Sequence, residues 1–123
     1  MDIDAKLRPI YLINILKERT DEDHYLTTSQ LCAILKSEYG METHRTTIKS
    51  DIEMLQQAGV DIKAERSTQN QYKFVGRDFD IAELKLLIDA VQSAKFISKS
   101  KSDQLVTKLT ALAGVNKSRE LKR

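Results

Sequence analysis

The most constraining feature of this sequence is a change of period near residue 60. Over Thr43 to Gln57, Ile48, Ile52 and Leu55 fall within about 60° of one another on a helical wheel, with Thr46, Ser50 and Gln57 opposite. Ala58-Gly-Val60 then supplies a stop, because Gly59 can take the left-handed conformation and Val60 can pack back on the last turn. From Ile62 the repeat becomes two residues: Ile62 and Ala64, then Tyr72 and Phe74, alternate with Lys63, Glu65 and Lys73. The polar stretch Arg66-Ser-Thr-Gln-Asn-Gln71 between them predicts a two-stranded hairpin with a flexible tip. Such a ribbon is barely stable alone and must lean on helices.

Two helices precede this unit. Leu7, Ile10, Ile13 and Leu16 recur at helical spacing and predict a helix over residues 7–19, with Pro9 in the first turn, where its missing N–H has no intrahelical partner. After the polar loop Thr20 to Leu26, Thr27-Thr-Ser-Gln30 offers a capping box, Leu31, Ile34 and Leu35 make a stripe, and Tyr39-Gly40 closes the second helix. The third helix is capped by Thr43 or His44. Downstream, Asp80-Ile-Ala-Glu83 is a second capping box, opening a helix to about Phe96. Its stripe of Ile81, Leu84, Leu87, Ile88 and Val91 is widened by Leu86, Ala90, Ala94 and Ile97. A last helix carries Leu105, Leu109 and Leu112 and ends at Gly114. The expected fold is mainly α with a small β-hairpin: a winged helix-turn-helix over residues 1–77, a two-helix extension over 78–114 and a flexible, charged tail over 115–123.

Composition narrows the function classes. The chain of 123 residues is long enough for one core and too short for an elaborate enzyme with a regulatory domain. No apolar run approaches the roughly 20 residues needed to cross a bilayer, and Met-Asp-Ile-Asp-Ala has no signal-peptide character, so a cytoplasmic protein is expected. Cys32, beside Leu31 and Leu35, reads as a small core hydrophobe. Two histidines and one cysteine cannot assemble a zinc site, and Asp21-Glu-Asp-His24 lacks EF-hand spacing. No cofactor is expected. There is no Gly-rich phosphate loop, no nucleophile with a base and no carboxylate pair near a histidine, so an enzyme is not expected either.

Three short helices followed by a polar-tipped hairpin give the element order of a winged helix, in which the third helix enters the major groove and the hairpin is the wing. Residues 1–60 carry seven basic and ten acidic side chains, whereas residues 61–123 carry thirteen and eight, so positive charge gathers from the wing onward. Candidate DNA contacts are Arg45, Thr46, Thr47, Lys49 and Ser50 on the third helix, Thr28 at the start of the second, and Lys63, Arg66, Asn70 and Lys73 on the wing. The partner implied is double-stranded DNA. An alternative stays open: the lightly charged outer face of Thr46, Ser50 and Glu53 also suits a winged-helix module that binds protein and never meets DNA.

Several blocks resemble the N-terminal part of the WYL-domain transcriptional regulators. They are Leu7-Arg-Pro-Ile-Tyr-Leu-Ile-Asn-Ile-Leu16, Leu26-Thr-Thr-Ser-Gln-Leu31, Tyr39-Gly40, Thr47-Ile-Lys-Ser-Asp-Ile-Glu-Met-Leu55, Ala58-Gly-Val-Asp-Ile62 and, most specifically, Phe79-Asp-Ile-Ala-Glu-Leu-Lys-Leu-Leu-Ile-Asp-Ala-Val-Gln-Ser93. The resemblance implies a bacterial regulator acting as a homodimer, with a helical linker leading to a C-terminal sensor domain. Nothing after Arg123 can form that effector domain, so the chain reads as a trimmed fragment or a naturally short relative. The family's recognition helix usually has a Ser or Asp cap where His44 stands, and arginines or an aromatic where Thr46, Lys49 and Ser50 stand, so its readout carries over only to Arg45, Thr47 and the helix itself. Leu84, Leu87, Ile88, Val91, Leu105 and Leu109 are the candidate dimer interface; the same stripes equally suit packing of these helices on each other.

Overall fold

The computed structural model describes residues 3–122, which fall into two compact units dividing between Gly76 and Arg77. The first contains α1 (Ile3–Arg19), β1 (Leu26–Thr27), α2 (Thr28–Tyr39), α3 (Arg45–Gln57), β2 (Ile62–Arg66) and β3 (Asn70–Phe74). The second contains α4 (Ile81–Ser93), α5 (Lys99–Ala111) and α6 (Gly114–Leu121).

Local chemistry sets most of the boundaries in the first unit. Thr27 caps α2 by accepting from the Gln30 N–H, while the Gln30 side chain accepts from the Thr27 N–H at 2.8 Å, completing the capping box. Gly40, at φ 66°, ends α2 in the left-handed conformation, and the Met41 N–H then reaches back to the Leu35 carbonyl at 3.0 Å. Gly59, at φ 97°, does the same after α3, where the Val60 N–H bonds the Leu55 carbonyl.

The core is built from Leu12, Ile15 and Leu16 of α1, Leu31 and Leu35 of α2, Ile48, Ile52 and Leu55 of α3, and Ile62, Tyr72 and Phe74 of the sheet. The sheet has three antiparallel strands in the order β1-β3-β2, not two. β3 pairs in register with β2, Ala64 opposite Tyr72, and its other edge takes β1, Leu26 opposite Tyr72. Thr20, wholly buried, fixes this sheet to the end of α1: its hydroxyl donates to the Leu16 carbonyl (2.6 Å) and accepts from the Phe74 N–H (2.8 Å). A further cross-link joins α1 to α3, where Arg8 Nε donates to Asp51 Oδ2 at 2.5 Å with side chains only 14% and 12% exposed.

Two expectations for α1 and one for β2 are corrected. It begins a turn earlier than Leu7, which places Pro9 inside the helix; the cost is one backbone hydrogen bond, and the ring is buried in compensation. Ile10 is half exposed because the inward face runs through Pro9, Leu12, Ile15 and Leu16. On β2, Ala64 is exposed although its alternation pointed inward.

In the second unit, Asp80 and Glu83 form the expected capping box and Ser98 caps α5. The helix expected to run to Phe96 ends at Ser93, leaving Phe96 91% exposed. Leu112, half exposed, is off the inward row of α5, which passes through the half-buried Leu105, Val106 and Leu109 to the buried Thr110. The tail expected to be flexible over 115–123 is instead a third helix of this unit as far as Leu121. It turns from α5 at Gly114, whose φ is 82°, and contacts both α4 and α5. Its covered side is formed by Asn116, Lys117, Ser118 and Leu121, which carries no apolar stripe for a periodicity reading to detect. Among the described residues no helix is long and apolar enough to cross a membrane.

Removing one member of a mostly buried ion pair strands the other charge. Asp51→Ala is therefore expected to lower unfolding free energy by about 3 kcal/mol in urea denaturation. A double variant with Arg8→Met should recover much of that loss, because it removes both charges together.

Candidate nucleic-acid interface

One face of α3 is consumed by the core, which settles what the other face can do. Ile48, Asp51, Ile52 and Leu55 are buried, and Arg45, Thr46, Lys49, Ser50 and Glu53 are exposed. His44 is the N-cap: its Nδ1 accepts from the Thr46 N–H at 3.3 Å and lies 2.9 Å from the Thr46 hydroxyl. An imidazole thus does here what Ser or Asp does at most helix starts.

Between α3 and the β2–β3 wing lies an open cleft of about 540 Å³. On the α3 side its wall is Arg45, Thr46, Lys49, Glu53 and Gln56; on the wing side it includes Arg66, Thr68, Gln69 and Asn70, with Thr28 at one end. The wing tip is anchored, because Gln69 Oε1 accepts from the Ser29 backbone N–H at 2.9 Å, at the start of α2. The same serine orients the first residue of α3, since Arg45 Nη2 donates to Ser29 Oγ at 2.7 Å. Ser29 therefore links both walls of the cleft. Arg45, Lys49 and Arg66 give the cleft three cations against the carboxylates of Glu53 and Glu65.

Six of the ten DNA-contact candidates line this cleft: Thr28, Arg45, Thr46, Lys49, Arg66 and Asn70. Thr47 is half-buried and lies outside it, Ser50 is exposed farther round the helix, and Lys63 is exposed on the wing away from the wall. Lys73 has contacts of its own: its ammonium donates to the Glu22 carbonyl at 2.9 Å and lies 4.0 Å from Glu65, with its side chain 20% exposed. Sequence reasoning missed Ser29, Gln56, Thr68 and Gln69. Gln56 continues the row from Lys49 and Glu53 and was legible on a helical wheel, whereas the Gln69–Ser29 bond spans 40 residues and leaves no local signal.

The remaining candidates also have definite places. Leu84 is fully covered within its own chain. Leu87, Ile88, Val91, Leu105 and Leu109 are half-buried, and Leu86 is 70% exposed. Cys32 is half-buried; burial pushes its thiol up against the opposing pull of the Arg45 charge, which keeps it a poor nucleophile. Among the described residues no group of three or more His, Cys, Asp or Glu side chains is arranged to hold a metal.

Three helices, the third with one face free, followed by a β-wing that flanks that face, define a winged-helix domain. The chain belongs to the family described as the FokI D3 domain, whose model matches residues 6–67, from α1 through β2 and into the wing tip. That family is a DNA-binding, winged-helix-like one. Comparison with curated proteins and with solved structures gave no match.

If Gln69 holds the wing against α2, Gln69→Ala should release it. Hydrogen exchange is expected to show faster exchange of the Ser29 amide and the 67–69 tip, with the protection of Ile52 and Tyr72 unchanged.

Proposed function

We propose that this protein is a sequence-specific DNA-binding transcriptional regulator that inserts α3 into the major groove and lays the β2–β3 wing on the backbone or the neighbouring minor groove. The observation that carries the reading is the convergence of Arg45, Thr46 and Lys49 of α3 with Arg66 and Asn70 of the wing on one open cleft. Membership of a DNA-binding family supports it. The groove is about 12 Å wide and admits one helix, whose polar side chains then reach base edges and phosphates. In this pose Arg45 reads a guanine edge or holds a phosphate, Thr46 offers a methyl to thymine, and Lys49 and Arg66 neutralise phosphates.

The regulatory part of the proposal rests on the resemblance of residues 79–93 to the linker of WYL-type regulators, and it makes the chain a cytoplasmic binder rather than an enzyme. Homodimerisation is part of the same proposal. Half-buried Leu87, Ile88, Val91, Leu105 and Leu109, with exposed Leu86 and Phe96, leave the second unit with more apolar surface than it covers itself. Two copies would present α3 to grooves about 34 Å apart, so the operator should contain an inverted repeat.

Arg45→Ala and Lys49→Ala should each weaken duplex binding in anisotropy titrations while leaving the melting curve unchanged, since both side chains are exposed. Lys49→Ala should also reduce the slope of log affinity against log salt by about one. Affinity that is absent, or insensitive to salt, would contradict the proposal; a partner protein captured without any retained DNA would favour the interaction-module reading instead. Light scattering tests the dimer: a strict monomer at tens of micromolar would remove it.

A further inference from the structure

Arg45, Lys49 and Glu53 occupy one i, i+4, i+8 row of α3 on the wall of the cleft. Two members of the row suit a polyanion and the third does not. Glu53 is exposed, and among the described residues it has no ion-pair or hydrogen-bond partner, although Lys49 stands one turn away. The other acid of the cleft, Glu65, is flanked by Lys63 at 3.8 Å and Lys73 at 4.0 Å. Nor does the helix itself favour a carboxylate at this point. Glu53 lies in the C-terminal half of α3, where the macrodipole opposes negative charge, and a Lys-to-Glu order at i, i+4 is the weaker arrangement for pairing. The residue thus has no evident role in stabilising α3, and near a duplex it would be repelled by phosphates.

One chemistry turns that liability into recognition. In the major groove the exocyclic amine of cytosine is a hydrogen-bond donor that a carboxylate accepts, while the acceptor edges of guanine and thymine repel it. We infer that Glu53 is a specificity-determining residue that reads a cytosine N4 amine, from the same helix row as Arg45 and Lys49. The inference rests on the DNA-binding reading of this face. With a rise of 1.5 Å per residue, Glu53 lies about 12 Å along the helix from Arg45, which sets the cytosine three to four base pairs from the base or phosphate met by Arg45.

Selection of bound sequences from a randomised duplex library tests this, using the full chain, Glu53→Gln and Glu53→Ala, each checked for an unchanged melting curve. The wild-type chain is expected to prefer cytosine at one position by about tenfold, Glu53→Gln to move that preference to adenine, and Glu53→Ala to lose it there while keeping the other preferences. A uniform rise in affinity for every sequence, with preferences unchanged, would overturn the inference and leave the DNA reading standing, because the carboxylate would then only repel phosphates. A wild-type chain that retains no duplex overturns the DNA reading and this inference with it.

Discussion

The Arg8–Asp51 pair is placed where α3 has the least choice about how it sits. Asp51 lies between Ile48, Ile52 and Leu55 on the buried side of the helix, and its carboxylate is met by a guanidinium from α1. Apolar contacts alone allow a helix to roll or slide by small amounts at low cost, whereas a mostly buried charge pair is strongly penalised when it separates. The pair therefore fixes the rotation of α3 about its own axis. Everything outward of it follows: Arg45, Thr46, Lys49 and Glu53 face the cleft because Ile48, Asp51, Ile52 and Leu55 cannot.

The second wall is placed by hydrogen bonds rather than by packing. Thr20 binds β3 to the end of α1, β1 covers the other edge of β3, and Lys73 ties the wing to the Glu22 carbonyl. At the tip, Gln69 reaches the Ser29 amide, and Ser29 Oγ receives Arg45. A two-stranded ribbon has little stability of its own, so these attachments explain how a polar loop comes to stand at a defined distance from the reading helix.

What was legible in the sequence was local. The capping boxes at Thr27 and Asp80, the stops at Gly40 and Gly59 and the start of a strand at Ile62 each depend on a few neighbouring residues, and the structure has all of them, although on β2 only Ile62 is buried. The wing and the outer face of α3 could be named from the same signals. What was not legible depended on distant partners. β1 is two residues long and exists only because β3 offers an edge; the Lys73 ammonium meets the Glu22 carbonyl 51 residues away; and Asp51 meets Arg8 across 43 residues, a pairing with no local signal. α6 was hidden for another reason, since its covered side is polar and its contacts with α4 and α5 stand in for an apolar stripe. Glu53 is the instructive case: the light charge of the face it shares with Thr46 and Ser50 suited protein binding, whereas its place in the row with Arg45 and Lys49 on the cleft wall supports base recognition.

The central claim is that the cleft between α3 and the wing is the face that meets DNA. Amide chemical shifts of the labelled chain, followed while a selected duplex is added, test it residue by residue. The account predicts that the largest changes fall on residues 45–56 and 64–70 and on Thr28 and Ser29. Changes centred instead on residues 81–121, with α3 and the wing unmoved at saturation, would contradict it.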